Sequence, residues 1–413
     1  MTKYFLPICS VLFICSNNVS AQQTVNDKKA IFIILDGISA DIIETTATPN
    51  LDEISTVGGY TRAYVGGAVG TYSETPTISA VGYNSLITGV WANKHNVWGN
   101  SIKNPNYNYW NLFRIIEKHN PSLKTAIFST WLDNRTKLIG EELTTAGNIQ
   151  LDYSFDGFEL DTIKFPHDKE KTYISKIDEH VTTKAQSYIK NNGPDLTWVY
   201  LEFTDDMGHK YGDSPEFIDT VKLADNQIGR IWNAIKERTQ KYDEDWMIVI
   251  TTDHGRNKET GKNHGGQSDR ERLTWIVTNH KNTNLYFNNT PGIVDIMPSI
   301  LRHLKIPLPK HLVNEVDGTS FIKPILISNL TAIKKGSKIN LKWKSYGKSD
   351  KATIHITTTN NFKNGGKDSY IQVLKVKTND EKAVINISKN QTKFYKIVLK
   401  SSKNTLNTWV VDE

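Results

Sequence analysis

The sequence is poor in cysteine: it has only two in 413 residues, Cys9 and Cys15, and both lie within the first 21 residues. That segment begins with a lysine-containing start, continues with an apolar run over residues 5–15 and ends in the small-residue sequence Val19-Ser20-Ala21. This is the pattern of a secretory signal. We therefore predict that residues 1–21 are a signal peptide. The remaining chain would be periplasmic or secreted and would rely on neither disulfides nor thiol chemistry.

Long apolar stretches are also absent. The run over residues 5–15 is shorter than a bilayer span, and no later stretch approaches about 20 apolar residues. We therefore expect no membrane span.

The formal net charge of +6 is distributed unevenly along the chain. From Ser328 onward there are 17 lysines, no arginine and 6 acidic residues, a net charge of +11, so the preceding residues carry −5. Such a shift indicates a module boundary rather than a nucleic-acid site, and we expect no nucleic-acid polymer as a partner. Lysines scattered on strands are usually a solvated face, although a basic module could contact an anionic surface.

Apolar, β-branched segments alternate with segments of helical periodicity over residues 22–327. Predicted strands include residues 30–35, 196–203, 247–250 and 273–277, and predicted helices include 173–189, 217–235 and 295–304. Residues 58–70 are predicted to be a loop. This alternation predicts an α/β fold with a mostly parallel central sheet and helices on both faces.

The texture changes after Pro324 to short alternating strands separated by turn residues. Six are predicted: 339–343, 352–358, 370–376, 383–387, 394–400 and 408–411. Strands of this length and spacing predict a small all-β sandwich over residues 328–413.

Polar side chains follow three of the predicted body strands. Asp36 follows the first, Asp205 and His209 follow the strand at 196–203, and Asp253 and His254 follow the strand at 247–250. We expect a tight glycine-containing turn between Asp205 and His209. Ligands of open α/β sheets bind at the carboxyl ends of the strands, and carboxylate oxygens with imidazole nitrogens suit zinc. Ordinary turn roles for these residues are the alternative.

Two further residues belong to the same set. His264 lies ten residues after His254, and Ser79 begins a short predicted helix that Gly89 closes. A hydroxyl at a helix N-terminus has backbone N–H groups and the positive end of the dipole beside it, which can stabilise an alkoxide and a phosphoryl group. The alternative is that Ser79 is only an N-cap.

These motifs, in this order, resemble the alkaline phosphatase superfamily, most closely its type I phosphodiesterase/nucleotide pyrophosphatase branch. The resemblance covers residues 28–325 and rests on five pieces: Leu35-Asp36-Gly37, Ser79 ten residues before Gly89, the sequence from Asp205 to Gly212, Thr252-Asp253-His254-Gly255, and His264-Gly265. The tail resembles a fibronectin type III-like sandwich, judged by its strand spacing and Trp343.

The resemblance implies a hydrolase with two divalent metal ions, with zinc as the expected metal, acting on a small-molecule phosphate ester. Asp205, His209 and His264 would hold one ion, and Asp36, Asp253 and His254 would hold the other together with the Ser79 oxygen. Ser79 would be the nucleophile of a phosphoseryl intermediate. Asn100 matches the asparagine that in this branch contacts a non-bridging phosphoryl oxygen, and an ordinary Gly-Asn turn is the alternative.

Departures from the family pattern leave alternatives open. The branch more often has threonine at the Ser79 position, and residues 80–83 match neither its usual Phe-Pro-Asn-His nor the sulfatase signature. Asp133-Asn134-Arg135 lies where one group of phosphomonoesterases carries Lys-x-Arg, and an acid there would repel the second charge of a monoester. A diester substrate is therefore favoured. A phosphomonoesterase, a sulfatase, and a surface-binding protein with an inactive catalytic body are the alternatives.

Overall fold

A computed structural model describes residues 1–2, 27–388 and 392–412. The predicted signal peptide covers residues 1–21, and all of it except the first two residues lies outside the described residues.

Between residues 27 and 327, the described part of the body, there are seven strands and ten α-helices. The strands are β1 (Lys28–Leu35), β2 (Gly59–Tyr64), β3 (Thr125–Ser129), β4 (Tyr153–Phe155), β5 (Leu196–Leu201), β6 (Asp245–Thr251) and β7 (Leu273–Thr278). The helices are α1 (Ala40–Thr45), α2 (Pro49–Val57), α3 (Ser79–Thr88), α4 (Ala92–His95), α5 (Leu112–His119), α6 (Thr172–Asn192), α7 (Phe203–Tyr211), α8 (Pro215–Tyr242), α9 (Asp269–Arg272) and α10 (Ile296–His303).

The seven strands form one sheet in the order β2-β7-β6-β1-β5-β3-β4. The five strands from β6 to β4 are parallel, whereas β7 is antiparallel to β6 and to the edge strand β2. The predicted mostly parallel sheet is therefore confirmed. The predicted loop over residues 58–70 is wrong in its first part, because Gly59–Tyr64 pairs with β7 along its whole length. In this strand Thr61 and Ala63 are buried and their neighbours are more exposed, which is the two-residue period of a strand. The glycines on either side of the segment made the sequence resemble a loop.

Side chains of β1 fill the cores on both faces of the sheet, which explains its continuous apolar sequence. Ala30, Phe32 and Ile34 lie in one core, which also contains side chains of α3, α5 and α10. Ile31, Ile33 and Leu35 lie in the other, with side chains of α6 and α8. The sheet edge at the carboxyl ends of the strands is thereby held from both faces.

The C-terminal residues form the predicted all-β structure, with one strand more than predicted. Its strands are β8 (Ile327–Lys335), β9 (Lys338–Ser345), β10 (Lys351–Thr357), β11 (Ile371–Lys377), β12 (Lys382–Asn386), β13 (Phe394–Lys400) and β14 (Thr405–Val411). They make a four-stranded sheet, β11-β10-β13-β14, and a three-stranded sheet, β12-β9-β8, both antiparallel. A shared apolar core lies between them.

No helix in the described part of the chain has the length and apolar character that crossing a bilayer would require.

Candidate metal centre and nucleophile

Six carboxylate and imidazole side chains converge at the carboxyl ends of β1, β5 and β6. They form two triads, in each of which the potential ligand atoms lie within 4.8 Å of one another. One triad is Asp36, Asp253 and His254, and the other is Asp205, His209 and His264. The structure therefore brings together all six side chains that the sequence singled out as metal ligands.

The first triad is buried. The Nε2 atom of His254 lies 3.4 Å from Asp36 Oδ1 and 3.3 Å from Asp253 Oδ2. Both of these carboxylate oxygens are buried without a hydrogen-bond partner. A buried acceptor without a donor is costly, so a cation between these atoms fits the arrangement. The Nδ1 atom of His254 lies 2.9 Å from the carbonyl oxygen of Gly255, which it reaches as a donor, leaving the Nε2 lone pair free for a metal.

The second triad is built on a helix, and the predicted turn between Asp205 and His209 is wrong. Both residues belong to α7, four positions apart, so their side chains share one face. Their closest atoms, Asp205 Oδ2 and His209 Nε2, are 3.2 Å apart. Gly208 is helical, and a Cβ at this position would collide with the guanidinium of Arg256. The glycine therefore serves a close packing contact rather than a turn.

His264 completes this triad from the loop after β6. Its Nε2 atom lies 3.1 Å from His209 Nε2, and its Nδ1 atom lies 2.9 Å from the carbonyl oxygen of Thr77. Because Nδ1 donates to that carbonyl, Nε2 carries no proton, and its lone pair is directed towards the imidazole of His209. Such a pair of facing nitrogens suits a shared cation.

The two triads are adjacent. Asp205 Oδ1 lies 3.9 Å from the Nε2 atoms of both His254 and His264, and the two imidazole rings stack with centroids 3.6 Å apart. Asp205, a member of the second triad, therefore also lies close to the first. This arrangement is compatible with two neighbouring cations.

The protonation equilibria of the first triad reflect crowding of buried acids. Burial raises the pKa of Asp36 well above its usual value, and the negative charges of Asp253 and Asp205 raise it further. Burial likewise raises the pKa of Asp253 to about 7. The pKa of His254 is lowered well below its usual value by burial and by the neighbouring His264. These directions hold for the protein without metal, and a bound cation would favour the charged carboxylates and the neutral imidazole.

Arg256, which sequence reasoning missed, braces the second triad. Its side chain is completely buried. Its Nη2 group donates to Asp205 Oδ1 and, at 2.8 Å, to the Asp205 carbonyl oxygen, while Nε donates to the carbonyl oxygen of Gly37 at 2.8 Å. Burial acts to raise the pKa of Asp205, but the charge of Arg256 and a hydrogen bond from His209 outweigh it and hold that pKa below its usual value. The position of the arginine directly after the Asp-His-Gly motif was the available signal.

Two tyrosines, also missed, fix the orientation of Asp36. The hydroxyl groups of Tyr83 and Tyr200 both donate to Asp36 Oδ2, the second at 2.7 Å. Asp36 Oδ1 is thereby left facing His254. Tyr83 lies four residues after Ser79 on α3, whereas Tyr200 lies within β5, and nothing in their sequence context links them to Asp36.

Ser79 is the first residue of α3, and its Oγ atom lies 3.4 Å from His254 Nε2. The N-cap position is Ile78, so the alternative in which Ser79 is itself the N-cap is wrong. The hydroxyl therefore lies at the first triad, at the N-terminal end of α3, where the positive end of the helix dipole lies.

Asn100 lies beside the nucleophile position. Its Oδ1 atom accepts a hydrogen bond from the backbone N–H of Ala80 at 3.0 Å. That bond holds the exposed Asn100 amide against the first turn of α3, next to Ser79.

Asn134–Ile139 forms a π-helical segment, and residues 133–135 at its start have fewer free charges than the sequence suggested. Asp133 is paired with Lys137 at 2.7 Å, which offsets its negative charge. Arg135 donates to Asp156 through Nε and Nη2 and to Glu141 through Nη1. Asp133 should therefore repel a monoester less strongly than the sequence suggested. The pairing of Arg135 with two acids disfavours a monoester more strongly, because it leaves the guanidinium unavailable to the second negative charge.

Comparison with known proteins agrees with this geometry. The family described as "Type I phosphodiesterase / nucleotide pyrophosphatase" matches residues 30–289. A venom phosphodiesterase of Crotalus durissus collilineatus is 25% identical over 252 residues, which are 58% of this chain and 28% of that protein. The chain thus spans little more than a quarter of the length of that curated relative.

Solved structures share the fold. Human ectonucleotide pyrophosphatase/phosphodiesterase 5 superposes with a TM-score of 0.50 at 13% identity, covering 71% of this chain and 97% of its own. A 2-O GAG sulfatase superposes with a TM-score of 0.52 at 12% identity, covering 88% of this chain and 86% of its own. At such identities the likeness establishes the architecture alone.

Proposed function

The chain belongs to the type I phosphodiesterase/nucleotide pyrophosphatase family, and from this premise we propose that it is a metal-dependent phosphodiesterase that uses Ser79 as its nucleophile. The observation that carries the proposal is the placement of the Ser79 hydroxyl 3.4 Å from His254 Nε2, beside two triads of metal-ligating side chains. One buried carboxylate oxygen of Asp36 and one of Asp253 have no hydrogen-bond partner, which supports a cation bound between them.

The donor set fits two divalent cations, and three oxygen and three nitrogen donors shared between the triads favour zinc. Asp36, Asp253 and His254 would hold one ion, with the Ser79 oxygen, and Asp205, His209 and His264 the other. When bound, such ions supply Lewis-acid stabilisation of the attacking and leaving oxygens.

The residues of the chain divide the remaining work. The Ser79 hydroxyl gives up its proton to solvent, and its oxygen attacks phosphorus in line with the leaving group. The bond between phosphorus and the leaving oxygen breaks, and the departing alkoxide takes a proton from solvent. Asn100 Nδ2 donates to a non-bridging oxygen, and the N-terminus of α3 faces the developing charge. Water then cleaves the phosphoseryl intermediate and restores the hydroxyl.

A diester is favoured over a monoester because the additional negative charge of a monoester needs a free cationic partner. Arg135, the cation nearest in sequence to the expected monoester-binding position, is bonded to Asp156 and Glu141. A phosphomonoesterase is the alternative, and it would require residues 133–135 to rearrange so that Arg135 is released from its two acids.

We also propose that residues 1–21 direct export, giving a periplasmic or secreted protein with a body over residues 22–327 and a module over residues 328–413. A relative named as a venom phosphodiesterase and another named as a bovine ectonucleotide pyrophosphatase/phosphodiesterase family member agree with an exported enzyme.

The test compares kcat/KM for a matched aryl phosphodiester and aryl phosphomonoester, using zinc-loaded protein and its Ser79→Ala variant. We expect a preference for the diester of about tenfold or more, equivalent to about 1.4 kcal/mol in transition-state binding, and loss of activity in the variant. A preference for the monoester would identify a phosphatase instead. Full activity in Ser79→Ala would reject the proposed nucleophile.

A further inference from the structure

The C-terminal sandwich contacts the segments that precede and follow helix α3, the helix that begins with Ser79. The Tyr72 hydroxyl donates to Thr408 Oγ1 of strand β14 at 3.4 Å, and further contacts come from the same strand through Asn407 and Trp409. These two residues are two positions apart and therefore lie on the same face of the strand.

On the side that precedes α3, Trp409 supports a closed loop. The backbone N–H of Thr75 donates to the carbonyl oxygen of Gly66 at 3.0 Å, which closes the loop over residues 66–75. Tyr72 projects from this loop and stacks on Trp409, with ring centroids 5.3 Å apart and an interplanar angle of 17°. The loop thus rests on the sandwich.

The same loop leads directly into the site. Thr77 follows it and is bonded to the 264–266 segment: Thr77 Oγ1 donates to the carbonyl oxygen of Gly266 at 2.9 Å and accepts from the N–H of Gly265 at 2.9 Å. Its carbonyl oxygen accepts from His264 Nδ1 at 2.9 Å. Ser79 comes two residues later. A shift of the loop would therefore be transmitted both to the nucleophile and to a proposed metal ligand.

On the side that follows α3, a buried lysine makes the connection. The carbonyl oxygen of Gly89 accepts from the N–H of Asp317 at 2.9 Å. Lys94 is completely buried, and its Nζ donates to Asp317 Oδ1 at 2.5 Å and to Asn407 Oδ1 at 2.8 Å. The same Nζ lies 5.1 Å from the centre of the Trp409 ring. Strand β14 is thereby joined to the end of the helix as well as to its beginning.

We propose that Trp409 and Asn407 are positioning residues that hold the nucleophile helix from both ends, so that the C-terminal sandwich is part of the catalytic unit. The inference rests on the proposed role of Ser79. It follows because in-line attack tolerates little displacement of the attacking atom, and misplacement by about 1 Å can cost about a hundredfold in rate.

The test removes the stack from each side. Tyr72→Ala leaves the sandwich intact, Trp409→Leu leaves the loop intact, and the double variant removes both rings. We expect each single variant to lower kcat for the aryl phosphodiester about tenfold with KM within about twofold. The losses in the double variant should be clearly smaller than the sum of the two single losses, because both changes remove the stack between Tyr72 and Trp409. Hydrogen exchange of residues 66–78 should become faster in all three.

Two control variants separate this role from a general loss of stability. Tyr72→Phe keeps the stacked ring and should restore both kcat and exchange protection. Tyr242→Ala removes an exposed tyrosine at the end of α8 and should change neither.

Wild-type exchange protection in Tyr72→Ala, or losses that add in the double variant, would overturn the positioning role. If the wild-type protein hydrolyses no phosphodiester, the proposed function fails. The exchange measurement alone then decides the positioning role.

Discussion

At the scale of single residues, the hydrogen bonds around Asp36 determine which of its oxygens is free. Tyr83 and Tyr200 both donate to Oδ2, and Oδ1 is left buried and unpartnered towards His254. A carboxylate fixed in this way presents one oxygen to a cation without having to reorganise. Partners of metal ligands commonly change metal affinity because they orient the ligand.

We therefore expect Tyr83→Phe to weaken binding of the ion at the Asp36 triad by about 10- to 100-fold, since one of the two bonds that orient the carboxylate is lost. The measurement is competition with a zinc chelator. Tyr188→Phe serves as the control. Tyr188 belongs to α6, and its ring stacks on Tyr153 of β4, away from the site. Equal affinity in wild type and Tyr83→Phe would show that Asp36 needs no such restraint.

The proposed ligands could be predicted from sequence, but the residues that orient them could not. Asp36, Asp205 and Asp253 each follow a recognisable strand, and parallel strands bring their carboxyl ends to one edge. Tyr83 and Tyr200 reach Asp36 only through packing of α3 against β5, a tertiary relation that no local pattern encodes.

At the scale of elements, α3 and the loop after β6 are in unusually close contact. Gly82 faces Asp253, and a Cβ at Gly82 would lie 2.8 Å from the carbonyl oxygen and 3.0 Å from the Cβ of Asp253. Helix α3, which begins with the proposed nucleophile, and a proposed metal ligand are therefore in direct contact, with no space for a side chain between them.

Gly82→Ala should consequently separate α3 from Asp253 and lower kcat/KM by about tenfold or more, because nucleophile and ligand are displaced together. Steady-state kinetics on the diester provide the measurement. Gly99→Ala is the matched control, since a Cβ there meets nothing within 4 Å. If Gly82→Ala retains wild-type kinetics, the contact between helix and loop does not set the geometry of the site.

Helix α7 shows why local reasoning about an element can fail. Gly208 between Asp205 and His209 favoured a turn, yet the segment is helical, and position 208 has no side chain because Arg256 occupies that space. The predicted ligands were unaffected, since four-residue spacing on a helix also brings two side chains together.

At the scale of the whole molecule, body and sandwich share a buried ionic cluster. Lys396 of β13 lies 3.0 Å from Glu315 and 2.8 Å from Asp368, and the side chains of all three are at most 2% exposed. Tyr370 adds a hydrogen bond to Glu315 at 3.0 Å. The lysine-rich tail was predicted to present a solvated face, but this lysine is buried because acids on both sides compensate it. Contact of the other lysines with an anionic surface stays a prediction.

Lys396→Met should destabilise the protein by about 3–5 kcal/mol, because it leaves Glu315 and Asp368 buried without a cation. We expect calorimetry to show a single unfolding transition for the wild type, shifted to lower temperature in the variant. Lys393→Met, a change at an exposed neighbouring lysine, should leave the transition in place. Two separate transitions in the wild type would show that body and sandwich unfold independently.

A two-cation site predicts two bound metal ions per chain, and the metal content of the purified protein measures this number. Chains loaded with zinc and freed of excess metal would be analysed by inductively coupled plasma mass spectrometry, together with Asp253→Ala and His209→Ala, which each remove a ligand from one triad. We expect two ions per wild-type chain and one in each variant. A wild-type protein holding one ion or none, or two variants that both retain two ions, would contradict the account.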